Sequence, residues 1–197
     1  MKAFAKLKKP IIITLLVALA VSYYVYLTHR KVDNSEKMAS ESVQSELLSR
    51  DMNKNYPSDY YDVVDYFTSM QKVCYKEDIS DDEIVGFVQH MRAMLDDELL
   101  SKNGNDYQSY LTRFKDEIEA YKSKEQYINE YQMQRRRDIT QYTMDSKNYA
   151  EVSVKYYVRT GSKLTVMYQK YTLRKGTDSK WKILFWELSD GADMKDE

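Results

Sequence analysis

The side chains that most often carry chemistry are thinly spread in this sequence. There is one cysteine, Cys74, so no disulfide can form within the chain. Cys74 falls on a stretch with helical periodicity and has no histidine near it, so it reads as a structural thiol rather than a nucleophile. The two histidines are far apart. His29 adjoins Arg30 and Lys31, and His90 falls off the apolar stripe of a predicted helix, where solvent is expected to reach it. One thiol and two distant imidazoles make no zinc site. Carboxylates cluster at Glu77-Asp78, Asp81-Asp82-Glu83 and Asp96-Asp97-Glu98. A calcium loop spaces such oxygens around a central glycine, and that spacing is missing. The acids at 81–83 have a plainer reason, since a helix N-terminus favours negative charge. Arg135-Arg136-Arg137 is expected on a strand, where Arg136 would point away from its neighbours and pair with acids along a solvated edge. Contact with an anionic envelope polymer or lipid is the alternative. Glycine-rich phosphate loops, nucleophile elbows and internal repeats do not occur in the sequence. No cofactor or metal is expected.

The elements that would position these groups begin with an apolar segment. Lys2, Lys6, Lys8 and Lys9 form a basic tail over residues 1–9, and Pro10 opens an uncharged run from Ile11 through Leu15 and Leu19 to Leu27. Its seventeen residues rise roughly 26 Å as a helix, near the lower limit for crossing a bilayer core. Tyr23, Tyr24 and Tyr26 gather at the far end, where an aromatic belt meets headgroups. The lysines before the run outweigh Arg30 and Lys31 after it, so the N-terminus is placed in the cytoplasm and the remainder outside. The prediction is a single-pass cell-membrane anchor over 10–27. Ala18-Leu19-Ala20 leaves the alternative of a signal peptide cleaved after Ala20. Residues 28–50 read as a polar juxtamembrane tether, helical toward Arg50.

Residues 51–197 carry the pattern of one exported α+β domain. The chain has 30 Lys+Arg and 31 Asp+Glu, and six of the basic residues precede residue 32, which leaves a net of −7 beyond it. An acidic domain is a poor nucleic-acid binder. Nineteen tyrosines against five phenylalanines suit half-buried sheet surfaces, where the ring packs and the hydroxyl stays wet. Three helices are predicted: 58–75; one from the Ser80/Glu83 capping box with its Ile79/Ile84 staple to Asn103-Gly104; and 106–123. Periodicity then falls to two. A strand or bent strand pair over 127–143 is followed by strands near 151–159, 163–174 and 180–188, with glycine-containing turns between the last three. Apolar residues on both faces of the last strand predict a central, doubly covered position. Helices followed by a strand meander imply three helices packed on a curved antiparallel sheet of about four strands.

Tyr56-Pro57, Val63-Val64-Asp65-Tyr66-Phe67, Lys180-Trp181-Lys182-Ile183 and Trp186-Glu187-Leu188 resemble the opening helix and closing strand of the nuclear-transport-factor-2-like superfamily. Its SnoaL-like and ketosteroid-isomerase-like members are cone-shaped α+β domains. The whole chain also resembles a family of short membrane-anchored proteins from Gram-positive anaerobes. That likeness rests on Asn55-Tyr56-Pro57, Leu95-Asp96-Asp97-Glu98-Leu99-Leu100, Tyr171-Thr172-Leu173-Arg174 and the tryptophan-containing C-terminus. The resemblance implies a cone that hosts isomerases, dehydratases or binding domains, and no activity travels with it. Isomerases of this fold use a carboxylate base with tyrosines deep in the cone. On that analogy Trp186, Glu187, Tyr156 and Tyr168 are the pocket candidates, with no base assigned. The expected function is a non-enzymatic module binding an envelope protein, or pairing with itself through the sheet. A small-molecule or isomerase-like pocket in the cone is the alternative.

Overall fold

The computed structural model describes residues 41–102 and 106–194. The basic tail, the anchor (Pro10, Ile11, Leu15, Leu19, Tyr23, Tyr24, Tyr26 and Leu27), His29 and the Asn103-Gly104 helix end therefore lie outside the described residues. Among the described residues no helix is long and apolar enough to cross a membrane.

Residues 41–49 are helical (α1), and the compact unit begins at Gln44. Five helices, rather than three, are present among the described residues: α1, α2 (Tyr60–Lys76), α3 (Asp81–Ala93), α4 (Asp97–Lys102) and α5 (Tyr107–Ser123). Asp59 caps α2 by accepting from the Asp62 amide, and Val63, Val64, Phe67, Met70 and Cys74 form its buried face. The Ser80/Glu83 box caps α3 in both directions. It answers two of the four amides that a helix start leaves without partners.

Two expectations about the helices fail for reasons remote in sequence. The apolar stripe through Leu95 and Leu99 predicts one helix to residue 103, but α3 stops at Ala93. Ile183 in the last strand donates its amide to the Met94 carbonyl at 2.8 Å and accepts from the Asp96 amide at 2.9 Å. Those bonds hold Leu95 as a parallel bridge to Ile183, and α4 starts afresh behind it. His90 is half-buried rather than solvated. Tyr66 donates its only hydroxyl proton to the Leu47 carbonyl at 2.6 Å, so His90 Nδ1, 3.0 Å away, must carry a hydrogen and donate to the phenol. This chain of bonds fastens α1 to α2 and α3. The Arg50 guanidinium over the Tyr66 ring at 4.3 Å and a Gln44–Glu83 bond of 2.6 Å strengthen it.

The sheet has five antiparallel strands, not about four: β1 (Gln126–Met133), β2 (Thr140–Met144), β3 (Lys147–Thr160), β4 (Lys163–Lys175) and β5 (Trp181–Ser189). Their order is β1-β3-β4-β5, and β2 also pairs with β3. The stretch predicted as a strand or bent strand pair is the pair β1 and β2, laid end to end along the same edge of β3. Gln134 bridges the gap: its amide donates to the Ser153 carbonyl at 2.8 Å, and its side-chain oxygen accepts from the Ser153 amide at 2.9 Å. The arginine run therefore sits at a corner, with Arg136–Asp138 in a 3-10 turn. Arg136 bonds Asp59 and Asp62, each at 2.5 Å, and lies over the Tyr61 ring. It ties the corner to the start of α2.

β5 is an edge strand, not a central one. Its two apolar sets have another origin. Phe185 pairs with Thr172 and Ile183 with Leu173, so Leu184 is a bulged extra residue. A bulge reverses the parity of a strand. Trp181 and Ile183 before it, and Trp186 after it, share the inner face. Left-handed backbone in the turns falls on Gly161 (φ 55°) before β4, and on Ser179 (φ 64°) rather than Gly176 before β5. The inner face of the sheet, with Val152, Val154, Tyr156, Tyr171 and Leu173, joins α2, α3 and α5 in one core.

Candidate functional site

A cavity of about 100 Å³ remains between the helices and the inner face of the sheet. Helix α2 contributes Phe67, Gln71 and Tyr75, spaced at i, i+4 and i+8 on one side of the helix. Helix α5 contributes Tyr110, Phe114, Glu117 and Tyr121 by the same periodicity. The sheet closes it with Tyr156, Met167, Gln169 and Trp186. Tyr75 and Tyr121 stack at 4.4 Å between ring centroids, Phe114 packs 6.2 Å from Tyr75, and Phe67 lies 5.9 Å from Trp186.

Two polar sets reach this cavity. Tyr75 donates to Glu117 Oε1 at 2.9 Å. Burial, then the adjacent carboxylate, push the Tyr75 phenol well above its usual range. Glu117 is itself exposed and is the one charged side chain in the lining. The second set is a run of hydroxyls. Thr68 Oγ1 lies 3.2 Å from Tyr156 Oη, which lies 2.6 Å from Tyr171 Oη. Tyr171 donates to Gln169 Oε1 at 2.9 Å. With one proton per hydroxyl, the order Thr68 to Tyr156 to Tyr171 to Gln169 satisfies every donor. Burial pushes the Tyr156 phenol up to about 12, and that of Tyr171 well above its usual range. Neither phenol is ionised at neutral pH. Cys74 does not line the cavity, and burial pushes its thiol up, so it is no nucleophile. The lining supplies one carboxylate, amides and aromatic rings. That set can hold a ligand; it presents no nucleophile and no pair of acid and base.

Of the four candidates, Trp186 and Tyr156 line the cavity. Glu187 and Tyr168 do not. Past the Leu184 bulge, Glu187 faces away from the helices and pairs across the sheet with Lys170. Tyr168 is also on the outer face, where Gly191 packs so closely that a β-carbon there would fall 2.7 Å from its ring. The unforeseen members are Glu117, Gln71, Gln169 and Tyr75. Glu117 had a visible signal, because it falls in register with Tyr110, Phe114 and Tyr121 on an otherwise apolar stripe.

The stretches behind the second resemblance meet elsewhere, at the start of β5. Tyr56 donates to the Trp181 carbonyl at 2.7 Å, and the bridge of Leu95 to Ile183 lies two residues on. Asp96, buried, pairs with Arg174, whose other arm reaches Glu98 at 3.0 Å. Asp96 also accepts from the Glu98 amide at 2.9 Å and so starts α4. These residues fasten the edge strand and α4 to the sheet. An open cleft of about 640 Å³ beside them is lined by Lys147, Arg174, Lys175, Lys182 and three aspartates, and its mixed charges select no ligand.

No curated protein matches the chain in sequence. A family model does, over residues 1–186. The chain belongs to the family described as a domain of unknown function, DUF6715.

Proposed function

We propose that this chain is a non-enzymatic binding protein of the cell envelope that takes a small ligand in the cavity between helices and sheet. Residues 10–27 anchor it in the cell membrane, and the domain lies outside the cytoplasm in a cone of the nuclear-transport-factor-2-like kind. The observation that supports the ligand reading is the convergence of Glu117, Gln71 and Gln169 on an aromatic cavity between the helices and the sheet. Close packing is the rule in protein interiors, and an unfilled space with a few polar groups is the usual form of a ligand site. The apolar run, the basic tail and their charge asymmetry support the anchor.

The test is ligand-observed NMR on the full chain in a maltoside detergent, with a panel of acidic, basic and neutral fragments of up to about six heavy atoms. Gln71→Phe, which fills the cavity from α2, serves as the blocked control. Binding that the blocked variant loses supports the reading; no binding by any fragment overturns it. Membrane fractionation of the full chain and of a version lacking residues 1–31 tests the anchor.

A second reading has its own observation. Leu164, Val166 and Phe185 are exposed on the outer face of the sheet, which suits an envelope protein or a second copy of the chain. Sedimentation of the full chain distinguishes monomer from homodimer, and crosslinking in intact cells detects another partner.

A further inference from the structure

We infer that the ligand of the cavity is a small alkylammonium cation. This rests on the ligand-binding reading above and adds the ligand's chemical class. Glu117 is the only acidic side chain in the lining, and no lysine or arginine shares it. Arg92 lies 5.6 Å from the Tyr110 ring centroid but does not line the cavity. An anion would therefore meet a carboxylate with no countercharge. Two of the lining hydroxyls are already committed, Tyr75 to Glu117 and Tyr156 to Tyr171, and the neutral phenols of Tyr110 and Tyr121 bring no positive charge.

The walls point the same way. Phe67, Tyr75, Tyr110, Phe114, Tyr121 and Trp186 surround the space. Aromatic rings carry negative faces that attract cations, most strongly where water is excluded, and several rings with a carboxylate are the arrangement that recognises quaternary ammonium groups. Size narrows the choice. An apolar cavity of about 150 Å³ holds benzene, so about 100 Å³ holds roughly four or five heavy atoms, as in a trimethylammonium head. The rest of such a ligand would leave past Glu117 and Trp186, both exposed to solvent. The head could belong to a free solute or to a lipid.

Isothermal calorimetry on the full chain in maltoside, titrated with choline and with its uncharged carbon isostere dimethylbutanol, tests this. Choline is expected to bind saturably, and the isostere roughly tenfold more weakly. Glu117→Gln, whose amide oxygen still accepts from Tyr75, should bring the two within about threefold by weakening choline alone. Isostere binding as tight as choline, or an unchanged ratio in Glu117→Gln, overturns the cation inference and leaves the cavity reading standing. If neither binds and the fragment panel is also silent, both fall. Competition with choline by short-chain phosphatidylcholine but not by short-chain phosphatidylglycerol, in the same maltoside, assigns the head to a lipid. Choline binding without such competition assigns it to a solute.

Discussion

The pairing of Arg174 with Asp96 gives the sharpest test of how the fold is held. The side chains are 16% and 8% exposed, so neither charge is well hydrated by bulk water. Asp96 spends its oxygens on the guanidinium and on the Glu98 amide. The hydrogen bonds to Asp96 raise the Arg174 pKa further above its usual range, so the guanidinium stays charged at any working pH. Arg174→Met keeps the length of the side chain and leaves a carboxylate buried without its partner. Breaking one side of a buried pair costs about 3–5 kcal/mol. The open cleft beside the pair argues for the low end, about 3 kcal/mol, or a fall in Tm of roughly 6–12 °C for a domain of this size. Glu98 is 43% exposed, so Glu98→Gln should cost no more than about 0.5 kcal/mol. The double variant Arg174→Met/Asp96→Leu should recover about 2 kcal/mol relative to the sum of the singles. Urea unfolding followed by circular dichroism measures the parent chain, the three single variants Arg174→Met, Asp96→Leu and Glu98→Gln, and the double variant. Additive single effects, or an Arg174→Met cost below about 1 kcal/mol, would refute the account of this pair.

Two other outcomes follow from the packing. Tyr66, Tyr110 and Tyr156 have phenols raised to about 12 from an ordinary 10.0, each chiefly by burial. The folded state thus holds protons that the unfolded chain gives up. Stability should be full below pH 10, fall as pH rises from 10 toward 12, and be accompanied by cooperative appearance of tyrosinate absorbance; gradual titration of all tyrosines near pH 10 would contradict it. Gly86→Ala places a β-carbon 2.9 Å from Leu48 Cδ2, which sets the docking of α1 against the usual gain of about 1 kcal/mol for removing a helical glycine. The substitution should be close to neutral alone and stabilising in a Leu48→Ala background, as read from urea midpoints.

The sequence was legible where structure is local. The capping box at Ser80 and Glu83, the stripe of α2 and the two-residue turn at Gly161 rest on neighbours within four positions, and all are present. What escaped depends on distant partners. The end of α3 is decided by the backbone of Ile183, and nothing near Met94 announces it. The corner between β1 and β2 is held by Arg136 reaching back to Asp59 and Asp62. The Leu184 bulge is the most consequential case. Without it Glu187 would share a face with Trp181 and Ile183. With it, Trp186 takes the inner face and the cavity's carboxylate comes from Glu117 on a helix instead. Of the residues weighed from the superfamily likeness, Trp186 and Tyr156 line the cavity, and Glu187 and Tyr168 do not.

The most direct measurement is the backbone and indole NMR spectrum of the full chain during a choline titration. The Trp186 indole N–H and the amides around Glu117 should shift saturably together, while the Trp181 indole, packed against Tyr60 at 5.2 Å outside the cavity, stays in place. Shifts confined to the outer face of the sheet, or none at Trp186, would contradict binding in the cavity.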